Sequence, residues 1–180
     1  GSWTLSNAFD AQSRLVGNVF TGGGKAETSS GRYNVLLLGG DAGSDREGLR
    51  PDTMIVASID ASSGRTVLFS LPRNMQWAPF PDSSPLKRLY PNGYWCKDQS
   101  CLLNAVYTLG MSHKNLYPGV KNPGVEATKE IIGNILGLDI NYYALVDLKG
   151  FQALIDAVGG ITLDVARKVP IGGGTDLTTG

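Results

Sequence analysis

Residues 33–52 read YNVLLLGGDAGSDREGLRPD, and this stretch decides the fold. The run from Asn34 to Leu38 carries no apolar–polar alternation. An unalternated run of this length is the pattern of a central strand buried on both faces. It ends in Gly39-Gly40, and Asp41 follows at once. A polar loop then carries Asp45, Arg46, Glu47 and Arg50 and closes on Asp52, and the next apolar run starts at Thr53. Two carboxylates and the guanidiniums between them therefore sit at the mouths of two buried strands. Such an arrangement suits a divalent metal and a phosphate.

Working outward, residues 53–59 predict a second strand and residues 65–70 a third. Asp60-Ala61-Ser62-Ser63-Gly64 between them is a turn, so the two strands pair as a hairpin. Pro72 cannot donate to a ladder and stops the third strand, which places Arg73 at a strand end. Upstream, residues 5–20 repeat apolar side chains at helical spacing, and residues 21–32 are a Gly/Ser-rich loop. Downstream, residues 75–100 hold four prolines, two tryptophans and two tyrosines in an irregular segment of functional-loop length. Residues 101–113 predict a helix, 114–124 a second loop, and 125–136 a helix stopped by Gly137. The order strand 142–147, helix 148–158, strand 161–165 is a βαβ signature. The chain reads as effectively one domain: a helix and loop over 1–32, then a catalytic domain over 33–180.

The 180 residues carry 16 basic and 16 acidic side chains, with zero formal net charge. That balance argues against a general nucleic-acid binder, which shows a basic excess. No stretch approaches the roughly 18–20 apolar residues needed to cross a bilayer. The chain opens Gly-Ser, more often a cleavage scar than native sequence, so an anchor removed upstream is expected. Cys96 and Cys101 flank four polar residues. One histidine, His113, is too few to complete a zinc site with them, and C-x4-C is not the redox spacing. A disulfide clipping a short loop is the preferred reading, and it implies an oxidising compartment. Two free thiols are the alternative.

Asp41 and Asp52 read either as ligands of magnesium, or of manganese in its place, or as turn residues capping their loops. Arg50 and Arg73 read either as a bidentate phosphate clamp or as partners of nearby carboxylates. Arg46, Lys87 and Arg88 are by default solvated loop charges. The lone His113 argues against a Ser-His-Asp triad and reads as a helix-end residue. No GxxxxGK[ST] loop is present. The helices over 102–111, 125–136 and 148–158 read as core, with a greasy pocket for a lipid tail as the sharper option.

The motifs NVLLLGGD, RPDTMIVASID, FSLPRN and YYALVDLKGFQALIDAVGGITLDV resemble, in order and spacing, the LytR-CpsA-Psr family over residues 33–165. The resemblance implies a three-layer α/β/α fold around a mixed sheet. It also implies a single-pass, membrane-anchored domain facing the cell wall. Such a domain transfers a glycopolymer from a polyprenyl-pyrophosphate carrier onto a peptidoglycan acceptor, as a magnesium-assisted phosphotransferase. The lipid tail would lie in an apolar tunnel between sheet and helices. Carried over, Asp41 and Asp52 take the acidic positions near the metal, with Asp41 also counted as catalytic. Arg50 is the arginine of RxDT, Arg73 that of the SLPR motif, and Arg46 a loop position on the substrate. Asn104 keeps its place in a motif that usually reads K-[IL]-N.

Two departures accompany the match. Asn74 stands where the family has Asp, and Leu102 stands where it has Lys. Family members also continue past GGITLDV, so the C-terminal part is expected to be missing. The cysteine pair with Trp77 and Trp95 in the long loop points to an actinobacterial member acting on arabinogalactan or a similar polysaccharide. The rival reading is a non-catalytic envelope module that binds polyprenyl phosphate or wall glycan. A soluble pyrophosphatase is the third.

Overall fold

The computed structural model describes residues 30–40 and 50–146. Its centre is a four-stranded mixed sheet in the order β3-β2-β1-β4. The strands are β1 at Arg32–Gly39, β2 at Thr53–Asp60, β3 at Thr66–Leu71 and β4 at Tyr142–Val146. β1 and β2 are antiparallel, with Gly39 opposite Thr53. β2 and β3 form the expected hairpin, with Met54 opposite Leu71. β4 returns parallel to β1, with Leu38 opposite Leu145.

The unalternated run of β1 is buried on both sides, as its pattern demands. Leu36 and Leu38 join Met54, Val56 and Leu71 in the larger core cluster. Val35 and Leu37 face the other way with Ala57, Ile59 and Ala144. Helices cover the first face among the described residues. The second face is equally dry, its five core residues being 0–6% exposed. Burial of both faces is what α/β/α layering requires. The hairpin turn is set locally. The Asp60 carboxylate accepts from Ser62 N at 2.9 Å, Ser63 N at 2.8 Å and Ser62 Oγ at 2.7 Å. These hydrogen bonds hold its carboxyl well below the usual range. Gly64 closes the turn at φ +72°.

The helix expected over 101–113 is shorter and comes in two parts. A 3-10 turn at Leu103–Ala105 leads into α1 at Val106–Ser112. The reason is that Leu103 N donates to Met75 O at 2.9 Å and Asn104 N to Arg73 O at 3.0 Å. Those backbone groups serve the loop leaving β3, which holds the preceding Leu102 extended. α2 spans Pro123–Leu136, starting two residues before the expected Val125. Asn122 caps it by accepting from Val125 N at 3.1 Å, and Pro123 fills the first turn. Gly137 ends it in the left-handed conformation. Within the irregular segment, a 3-10 turn spans Pro85–Arg88, and Phe80 and Leu86 are fully buried. No helix among the described residues is long and apolar enough to cross a membrane. The predicted elements at 5–20, 148–158 and 161–165 lie outside the described residues.

α2 also carries a carboxyl group that the apolar pattern did not flag. Glu130 Oε2 accepts from Ser84 Oγ at 2.6 Å and from Tyr117 OH at 2.9 Å. It lines a groove of about 440 Å³ between α2, residues 81–83 and residues 137–140. Desolvation raises its pKa above the ordinary carboxylate value, partly offset by the Ser84 hydrogen bond. The folded state therefore holds this proton more tightly than the unfolded chain does. Stability must fall as pH rises from the ordinary value through the raised one. Glu130→Gln, whose amide oxygen accepts the same two hydroxyls, is expected to flatten that slope. Urea melts of both proteins between pH 4 and 7 check it, and parallel curves would contradict it.

Candidate functional site

The sheet register sends the end of β1, the start of β2 and the end of β3 to one edge. Asp52 N donates to Gly39 O at 2.8 Å, which fixes the residue against the end of β1. The pairing of Met54 with Leu71 carries the chain through Pro72 so that Arg73 arrives beside it. Arg73 Nη1 donates to Asp52 Oδ1 at 2.7 Å, with the two side chains 59% and 50% exposed. An ion pair so open contributes at most about 1 kcal/mol to stability. It does hold a guanidinium and a carboxylate at fixed positions on the strand ends.

Asn104 joins this edge through its backbone bond to Arg73 O. Its Oδ1 is buried and finds no hydrogen-bond partner among the described residues. A buried acceptor left without a donor costs about 1–3 kcal/mol. Arg50 is exposed and two residues from Asp52. It also acts on Tyr94, whose phenol is pushed up to about 12 by burial and by Tyr90 while the Arg50 charge pulls the other way. Tyr94 is thus within electrostatic reach of Arg50 from a remote part of the sequence. Nothing in the spacing of residues 75–100 announces it.

Of the residues singled out in the sequence, Asp52, Arg73 and Asn104 are brought together, with Arg50 alongside. Asp41 and Arg46 lie outside the described residues. The neighbouring of β1 and β2, on which a shared site for both aspartates depends, is present. Of the two readings of Arg73, the carboxylate pairing is the one formed. Lys87 pairs instead with Asp82 at 3.7 Å. His113 ends α1, with Nδ1 2.9 Å from Leu109 O. Cys96 and Cys101 are joined, with Cα atoms 5.5 Å apart. Among the described residues no group of three His, Cys, Asp or Glu side chains forms a metal cage. Hard oxygen donors do fit magnesium, which takes one or two carboxylates and completes its shell with phosphate and water. The half-exposed Asp52 carboxylate has a second oxygen to offer.

Fold and edge together define an α/β domain whose mixed sheet gathers opposite charges at its strand ends. The chain belongs to the LytR_cpsA_psr family, whose model matches residues 6–178. It is 30% identical over 142 residues to the polyisoprenyl-teichoic acid–peptidoglycan teichoic acid transferase TagU of Oceanobacillus iheyensis, covering 78% of this chain and 36% of that protein. It is 27% identical over 156 residues to Biofilm regulatory protein A of Streptococcus mutans, covering 84% of this chain and 33% of that protein. The chain thus spans about a third of the length of these curated relatives. The crystal structure of B. subtilis TagV superposes with a TM-score of 0.42 at 24% identity, covering 74% of this chain and 42% of that one.

Proposed function

We propose that this chain is part of an extracytoplasmic, membrane-anchored transferase that moves a glycopolymer from a polyprenyl-pyrophosphate carrier onto peptidoglycan. The observation that supports it is the convergence of Arg50, Asp52, Arg73 and Asn104 on one sheet edge in a chain of this family. Arg73 and Arg50 would clamp the diphosphate by charge-assisted hydrogen bonds. Asp52 orients Arg73 until the ligand takes over, and Asn104 Oδ1 accepts a hydrogen bond from the bound glycan or from a neighbouring donor. Asp41 and Asp52 would hold magnesium or manganese, which supplies charge neutralisation on the diphosphate. The acceptor hydroxyl then displaces polyprenyl phosphate at the glycan-bearing phosphorus. Arg46 is a further substrate contact on this reading. The lipid tail takes the apolar layer between the sheet and α1 and α2. All three methionines of the chain, Met54, Met75 and Met111, pack there as adaptable side chains. The Cys96–Cys101 link supports the oxidising, extracytoplasmic setting. Teichoic acid, arabinogalactan and related polymers are the candidate donors.

The test is turnover of a polyprenyl-diphosphate-linked glycan. Product is expected with magnesium or manganese and is expected to vanish on chelation. Metal-independent binding without turnover would establish the non-catalytic module instead, the reading favoured by Asn74 and Leu102. Cleavage of lipid-free pyrophosphate would establish the pyrophosphatase.

A further inference from the structure

Large aromatic rings are normally withdrawn from water, yet two indoles stand together on this surface. The rings of Trp77 and Trp95 stack with centroids 4.9 Å apart and planes 11° from parallel. They remain 52% and 40% exposed. One face of each is used by the stack, so the accessible area lies on the outer faces and edges. The pair is held in place from behind. Trp77 N donates to Tyr94 O at 3.2 Å and Tyr94 N to Ala78 O at 2.8 Å. Trp77 itself takes a left-handed φ of +58°, rare for so bulky a residue and kept only where the surroundings impose it. Gly93 lets the two segments close, because a Cβ there would meet Trp77 O at 2.7 Å. Below, Tyr94 packs edge-on against both Tyr90 and Phe80. The Cys96–Cys101 link fixes the chain just after Trp95.

We propose that the Trp77–Trp95 stack is a docking platform for the peptidoglycan acceptor strand, whose sugar rings lie against the outer indole faces. The proposal rests on the transferase reading given above. The axial C–H bonds of a pyranose are weakly positive and meet the negative face of an aromatic ring. The platform is tied to the strand-end edge through the chain at two points. Trp77 lies four residues beyond Arg73, and Cys96, next to Trp95, is joined to Cys101, three residues before Asn104, whose N donates to Arg73 O. The donor is gripped there by its diphosphate. The acceptor strand brings no such group to the clamp and must be held through its sugar faces. A membrane surface is the poorer partner. The exposed residues after Trp95 are Lys97, Asp98, Gln99 and Ser100, and hydrogen bonds from Ser100 lower the pKa of the Asp98 carboxyl. Lys97 and Asp98 leave this segment no net charge with which to attract anionic lipid, whereas polar side chains of this kind serve sugar hydroxyls.

The chain, Trp95→Ala and Trp77→Asn are sedimented with insoluble peptidoglycan stripped of attached glycopolymer. Asparagine is chosen at 77 because it accepts the left-handed backbone. Each variant is expected to bind about tenfold more weakly than the parent, with thermal melts confirming that it folds. Vesicles of phosphatidylglycerol and phosphatidylethanolamine form the second arm. Unchanged sedimentation of the variants, failure of the parent to sediment, or a tryptophan-dependent loss on vesicles alone would each overturn the platform. Binding of farnesyl diphosphate by the parent and by Arg73→Ala is read separately. Loss on Arg73→Ala with no tryptophan effect removes the platform and keeps the diphosphate clamp. A tryptophan effect with no Arg73 effect keeps the glycan surface and removes the clamp.

Discussion

Arg73→Ala is expected to lower turnover of a polyprenyl-diphosphate-linked glycan by about 10²–10³-fold, the loss typical of one preorganised charge-stabilising donor. The melting temperature should hardly move. The ion pair with Asp52 is open to solvent on both sides, so its removal costs at most about 1 kcal/mol, or about 2–4 °C in a domain of this size. This contrast separates the two readings of the arginine. A guanidinium kept only to neutralise Asp52 would leave turnover intact, because its partner would simply be solvated. A guanidinium that grips a diphosphate loses both hydrogen bonds of its fork. Arg73→Lys sharpens the distinction. Lysine keeps the charge and restores the ion pair, but it offers a point charge in place of a planar fork. It is expected to recover only part of the activity, and full recovery would show that charge alone matters. Asp52→Asn in the same assay asks whether the carboxylate does more than hold the arginine. If it does only that, the losses from Asp52→Asn and Arg73→Ala should not add.

Much of this edge was legible because it is built from local signals. The unbroken apolar run of β1, the Asp-to-Gly turn after β2 and the stop at Pro72 together put Asp52 and Arg73 at strand ends. Gly137 likewise marked the end of α2. What stayed hidden depends on contacts made across the chain. The parallel return of β4 beside β1 is a choice of partner, which hydrophobic spacing does not encode. The helix starts later than the spacing of residues 101–113 predicts because Leu103 and Asn104 give their backbone donors to Met75 and Arg73. Periodicity sees side chains and not that competition. Tyr94 is held by its bridge to Ala78, a pairing inside a segment that reads only as irregular. Glu130 sits on a helix whose apolar face was plain, but the hydroxyls that bury its carboxylate come from Ser84 and Tyr117.

The glycines between the helices hide a second large effect, opposite in sign to what the sequence alone predicts. Gly110 lies inside α1, where replacing glycine with alanine ordinarily stabilises a helix by about 1 kcal/mol. Here the new methyl would run into Pro123 O, and it would lie 2.9 Å from both Gly124 Cα and Ala127 Cβ. Gly124 is the matching position on α2, where a methyl would lie 2.7 Å from Tyr107 O and 2.9 Å from Met111 Cγ. These neighbours are mostly backbone and short side chains, which cannot swing aside, so the helices must separate. Around them Val106, Tyr107, Val125 and Ile131 are at most 2% exposed, and separation opens their packing. Gly110→Ala is therefore expected to destabilise the domain by about 3 kcal/mol, the upper part of the range for an overpacked core. In a thermal melt that is a fall of about 6–12 °C. A rise would show that helix propensity dominates and that α1 and α2 do not approach this closely. Gly124→Ala should act in the same direction. The double variant should lose less than the sum, because helices already parted by one methyl have room for the second. Asn104 sits in the turn that runs directly into α1, so parting the helices also moves a residue of the strand-end edge. Diphosphate binding by Gly110→Ala should accordingly weaken at temperatures where the variant is still folded.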